Sequence, residues 1–181
     1  DNQLNCLRGL LEEENYKEAR RYAEELADSF ANRMENVDVQ NPIINVVLNQ
    51  KYRLAKLNGI AILFYANNLS DLWLEEKDVV SLLSNLLDNA IEACEKLEEN
   101  KVIHMKLVRE KKEFVLSVKN PVAFPVKIEN NRIETKKEDK KRHGIGLENV
   151  QMVLDKYHGM GMMRYENGYF SYTAVIPEIR G

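Results

Sequence analysis

The chain has 181 residues, of which 44% are hydrophobic and 30% charged, with a formal net charge of −3. That is room for one ordinary domain and an appendage, with apolar side chains enough for a core, and the slight acidity excludes bulk nucleic-acid binding. Cys6 and Cys94 show no metal-ligand spacing and fit a reducing cytoplasm, and no apolar run reaches the roughly 18 residues of a membrane span.

In chain order, Leu4, Leu7, Leu10 and Leu11 recur at helical spacing, residues 12–15 interrupt the pattern, and Ala19, Tyr22, Ala23, Leu26, Ala27, Phe30 and Met34 resume it. The spacing predicts two amphipathic helices joined by a short polar turn, a hairpin over residues 1–38. So small a hairpin cannot bury its stripe alone. It is expected to pair with a second copy as a four-helix bundle, or else to pack on its own domain. Residues 36–41 read as a polar joint to a domain spanning 39–181, with Pro42 starting a helix that Gly59 stops. The apolar set of that helix is Ile44, Val47, Leu48, Leu54 and Leu57. Ile60 to Tyr65 is a strand candidate, followed by a turn over Asn67 to Ser70.

Ser81 to Leu97 is the most informative stretch. Leu82, Leu83, Leu86, Leu87, Ala90, Ile91, Cys94 and Leu97 form a broad core-facing stripe. Asn85 and Asn89, four apart, share the other face, with Asp88 and Glu92 on its flanks. Glu75, Glu76 and Asp78 stand at the positive end of this helix. An amide that lines a cleft can supply its oxygen to a cation, whereas on a plain surface helix the same pair is merely solvated.

Lys101 to Val108 and Glu113 to Val118 read as strands turning at residues 109–112, and Lys119-Asn120-Pro121 follows them. In Lys127 to Arg142, lysines and arginines outnumber carboxylates. His143-Gly144-Ile145-Gly146-Leu147 then leads into a helix expected over Leu147 to Tyr157, capped by Gly159. Two glycines let the backbone pass close to a ligand, and the helix that follows aims free N–H groups at it, which makes a phosphate cradle. Gly161 to Tyr165 and Tyr169 to Ile176 are two last strands, turning at Asn167-Gly168. Helices interleaved with mostly antiparallel strands give an α+β fold, a two-layer sandwich preceded by a helical hairpin. His104 and His158 read as structural or exposed, and His143 abuts the cradle.

NLLDNAIEA (85–93) and HGIGLENV (143–150) resemble the asparagine box and second glycine box of the GHKL ATP-binding superfamily, which includes sensor histidine kinases, gyrase-type ATPases and mismatch-repair ATPases. Within it the chain looks most like the peptide-pheromone, Agr-type histidine kinases of quorum sensing. The resemblance implies the Bergerat fold, ATP and Mg²⁺ as ligands, and transfer of the γ-phosphoryl group to a histidine for relay to a response regulator. Asn89 matches the magnesium asparagine. Asn85 stands where the ATPases carry a water-activating glutamate; an amide cannot take that proton, so hydrolysis is disfavoured while Asn85 still holds a water or phosphate oxygen. Asn120 takes the place of the adenine-binding aspartate, although the glycines of that first box are absent, and Asn120-Pro121 also reads as a plain turn. A lid lysine, for which Lys137 is the choice, reaches the phosphates, and His143, Gly144, Ile145, Gly146 and Leu147 form the cradle. The resemblance makes the hairpin a homodimerisation and phosphoacceptor element, with Asn2 closing the acceptor motif. The acceptor histidine and a membrane sensor domain are then expected upstream of Asp1. An ATPase or anti-sigma-type serine kinase on the same fold, and a non-catalytic dimeric scaffold, are the alternative readings.

Overall fold

The computed structural model describes residues 2–23, 37–129, 132–133 and 140–178, in a chain that divides into two compact units, Asp1–Val37 and Asp38–Gly181. In the first unit, α1 (Asn2–Glu12) is followed by helical residues 16–23, α2. The turn between them is closed from both sides. Glu14 adopts φ 56°, and the N–H groups of Glu14 and Asn15 return to the carbonyls of Leu11 and Leu10, the double bond that ends a helix at a left-handed residue. Asn15 then caps α2, its Oδ1 accepting from the Glu18 N–H at 3.4 Å. Leu26, Ala27, Phe30 and Met34 of the expected second helix lie outside the described residues.

The second unit is a five-stranded mixed sheet with helices packed on it, the α+β arrangement expected. Its strands are β1 (Ala61–Ala66), β2 (Val102–Glu110), β3 (Glu113–Pro121), β6 (Met160–Glu166) and β7 (Tyr169–Pro177), in the spatial order β1-β2-β3-β7-β6. Two short strands, β4 (Ile128–Glu129) and β5 (Arg132–Ile133), pair with each other in the basic stretch. Only β1 and β2 are parallel among the described strands, because a helix has to carry the chain back between them; the other pairs are antiparallel. The β6–β7 hairpin turns at Asn167 and Gly168 with φ 50° and 81°, the left-handed pair that Asn-Gly adopts most readily.

The helix α3 (Pro42–Leu57) begins as its sequence directs, with the Asn41 Oδ1 accepting from the Ile44 N–H at 3.1 Å and Pro42 in the first turn. It ends at Gly59, φ 67°, where Gly59 and Ile60 donate back to Lys56 and Ala55. Its buried face is Ile44, Val47, Leu48, Tyr52 and Ala55. Leu54 and Leu57, expected in the core, are 41% and 85% exposed, since at 100° per residue they fall off the stripe that Ile44, Leu48 and Ala55 define.

The central helix α4 (Glu76–Glu95) starts five residues before the expected stretch and ends before Leu97. Its predicted stripe, Leu82, Leu83, Leu86, Leu87, Ala90, Ile91 and Cys94, is buried and packs on β2 and β3, whose inward residues Ile103, Met105, Leu107, Phe114, Leu116 and Val118 are buried beneath it. The last helix, α5 (Lys140–Lys156), lies against α4 and buries Val150, Val153 and Leu154.

Candidate functional site

The polar face of α4 meets α5 at one glycine. A Cβ placed on Gly146 would lie 3.2 Å from Asn85 Oδ1 and 3.5 Å from both amide heavy atoms of Asn89. Hydrogen in place of a side chain is what lets α5 approach so closely. The two asparagines, one turn apart and half-buried, therefore converge on the glycine segment, as their spacing predicts.

The orientation of Asn85 is fixed. Its Nδ2 donates to the Ser81 carbonyl at 2.7 Å and stands 3.2 Å from Ser81 Oγ, which turns its oxygen towards Gly146. Asp88, between the asparagines, is held from outside the helix, with both its oxygens within 2.6 and 2.8 Å of Nζ of Lys51 on α3. No signal in the sequence links positions 51 and 88 or marks Ser81 as the partner of Asn85.

The glycines differ from expectation in their local structure. Residues from Lys140 on are already helical, so Gly144 and Gly146 lie inside α5 rather than in a loop before it. Lys140, Lys141 and Arg142 are good helix formers, and the packed turns beyond Leu147 carry them along, at about 1 kcal/mol per glycine. By helix geometry the N–H groups of Gly144 onward are bonded within the helix rather than free for a ligand. His143 and Gly144 are helical residues of α5, Ile145 is 57% exposed, and Leu147 is half-buried. Lys137 lies outside the described residues.

Asn120 stands apart from this pair, next to the end of β3 and only 3% exposed. Its Nδ2 donates to the Pro121 carbonyl at 2.9 Å, leaving its oxygen as the end that can accept. Its strand neighbours are β2 and β7, and it faces Phe170 in register, so it sits inside the sheet rather than in a turn.

At the other end of α4 a clamp holds the two helices together. Lys156 of α5 donates to Asp78 Oδ2 and to Glu75 Oε1, both at 2.6 Å, Tyr157 OH donates to Asp78 at 2.7 Å, and the Glu75 N–H donates to Tyr157 OH at 3.0 Å. Lys156, and after it Lys77, draw the Glu75 carboxyl down to about 2. Burial pushes the Asp78 carboxyl up, but the bonds from Lys156 and Tyr157 together outweigh it and leave it below its ordinary value. Cys94 is buried and its thiol pushed up to about 11, which makes it inert. His104 is exposed on β2, and His158 follows α5.

Among the described residues no group of three or more His, Cys, Asp or Glu side chains can hold a metal, and no helix is long and apolar enough to cross a membrane. A cation between α4 and α5 would rest on amide oxygens, which suit a hard ion that keeps water and phosphate oxygens around it.

Residues 74–177 match the sequence profile of a family described as GHKL domain. No curated protein matches the chain. Among solved structures, a nucleotide-free catalytic domain of the histidine kinase ThkA superposes with a TM-score of 0.58 at 20% identity, over 75% of this chain and 90% of its own. The histidine kinase AdeS of Acinetobacter baumannii superposes with a TM-score of 0.57 at 13% identity, over 98% of this chain and 96% of its own. At such identities the likeness is one of fold.

Proposed function

The chain belongs to the GHKL domain family, and from that premise we propose that it is the ATP-binding catalytic region of a two-component sensor histidine kinase. The observation that carries the reading is the convergence of Asn85 Oδ1 and the Asn89 amide on Gly146, where two helices bring oxygen ligands and a side-chain-free backbone to one place. Bound there, Mg-ATP supplies a transferable γ-phosphoryl group to a histidine. Asn89 holds the magnesium, with Asn85 beside it. Asn120 offers its oxygen to the adenine amino group, and the basic run Lys140-Lys141-Arg142 before His143 and Gly144 serves the phosphates together with the lid lysine Lys137. Ile145 and Leu147 flank Gly146 and border the same segment.

In-line phosphoryl transfer asks for positioning and charge neutralisation more than for a strong base, and two amides provide the former without the carboxylate that hydrolysis needs. The hairpin of the first unit supplies homodimerisation and the phosphoacceptor element. A response regulator then takes the phosphoryl group. Membership of the peptide-pheromone class, which the sequence resembles, is part of the same proposal.

The test is a titration of the purified chain with ATP in the presence and absence of Mg²⁺. Tight binding that depends on Mg²⁺ and is weakened at least about tenfold, or about 1.4 kcal/mol, by Asn89→Ala is expected. No binding at millimolar ATP would leave a dimeric scaffold as the better reading.

A further inference from the structure

An asparagine amide has two ends of nearly the same shape and opposite chemistry. At the Asn85 position the choice decides what the cleft can hold, because an oxygen attracts a cation or accepts from water, whereas an NH₂ group repels the one and donates to the other. We infer that Ser81 is a positioning residue that secures the choice its own carbonyl makes, its hydroxyl adding a second hold on the Asn85 nitrogen so that the amide oxygen stays facing Gly146. The inference rests on the proposed Mg-ATP site for its functional consequence, but its geometry stands apart from that reading.

Two acceptors hold the nitrogen. The Ser81 carbonyl, 2.7 Å away, can only accept, so turning the amide over would set two oxygens at that distance. The Ser81 hydroxyl, 3.2 Å away, adds a second partner for the other N–H. The carbonyl is present whatever residue stands at 81, so the hydroxyl is what the sequence contributes. Serine is also a poorer helix former than alanine, and position 81 lies within a twenty-residue helix, with the core on one side and Asn85 on the other. Its presence there is unfavourable for the helix and favourable for the amide. Both side chains are half-buried, which keeps water from replacing the contact freely.

The effects on the helix and on the amide therefore run in opposite directions. In Ser81→Ala the chain keeps or gains thermal stability, while the Asn85 amide loses one of its two partners. The experiment uses the full chain labelled with ¹⁵N, the Asn85 side-chain signals being identified by their loss in Asn85→Asp. In the wild type the solvent exchange of these amide protons is slowed; in Ser81→Ala it quickens several-fold, and in Ser81→Thr, which keeps a hydroxyl, it returns towards the wild-type rate. In parallel, the ratio of ATP affinities with and without Mg²⁺ falls about threefold to tenfold in Ser81→Ala and recovers in Ser81→Thr, with the Mg-free affinity unchanged. Exchange rates that do not differ between wild type and Ser81→Ala overturn the inference, as does an equal loss of affinity with and without Mg²⁺ accompanied by a lower melting temperature. If the wild type binds no nucleotide, the kinase reading fails while the exchange measurement still decides the role of Ser81.

Discussion

Gly146 shows how a single atom separates stability from function. Alanine there would gain about 0.5–1 kcal/mol of helix propensity, since the residue lies within α5. Its Cβ would also stand 3.2 Å from Asn85 Oδ1, closer than most such contacts, and the yielding partner is a side-chain oxygen rather than backbone. Gly146→Ala is therefore expected to melt no lower than the wild type, while Mg-ATP binding weakens about tenfold as the oxygen is pushed aside; thermal denaturation and a binding titration on the same sample check both halves. The asparagine pair and Gly146 were legible in the sequence because helical spacing alone brings residues 85 and 89 to one face. What was not legible was Ser81 and Lys51. A serine one turn before an asparagine is common, and a contact between positions 51 and 88 depends on how two helices pack, which no local pattern encodes.

Among the elements, α3 ends where its signals say and α5 does not. Gly59 ends α3 as the sequence requires, but the left-handed residue that ends α5 is His158, φ 51°, with His158 and Gly159 donating back to Asp155 and Leu154. Gly159, expected as the cap, is needed for another reason: a Cβ on it would lie 3.0 Å from Leu154 Cδ2 and 3.1 Å from the Val175 carbonyl. Two adjacent residues thus divide conformation and space between them. His158→Gly relieves the strain of a Cβ-bearing residue at positive φ and is expected to raise stability by about 0.5–1 kcal/mol, a few degrees in melting temperature. The start of α5 was misplaced for a related reason. Two glycines read as a loop when taken locally, yet good helix formers before them and buried Val150, Val153 and Leu154 beyond them outweigh that preference.

For the molecule as a whole, the clamp of Glu75, Asp78, Lys156 and Tyr157 makes stability depend on acid. Both carboxyls are depressed in the folded state, Glu75 from 4.5 to about 2 and Asp78 below 3.8. A depressed carboxyl contributes stability that is complete above its ordinary value and is lost as the pH falls through the folded one. The melting temperature is accordingly expected to hold from neutral pH to about 4.5 and to fall between there and about 2. Lys156→Met removes the main cause of the Glu75 depression, so that variant melts lower at neutral pH and loses less across the acid window. Equal slopes in the two proteins would exclude the clamp as the source.

Of the strands of the sheet, the last in sequence is not at its edge. β7 lies between β3 and β6, paired with both along its length. During synthesis, then, β3 waits with one side unpaired, its inward Phe114, Leu116 and Val118 prepared for a core that cannot close. The β2–β3 and β6 portions are joined only when residues 169–177 have emerged, and the gain of structure comes late and at once. Nascent chains arrested at increasing lengths should stay protease-sensitive throughout this domain until Pro177 has cleared the ribosome, and then become resistant in a single step.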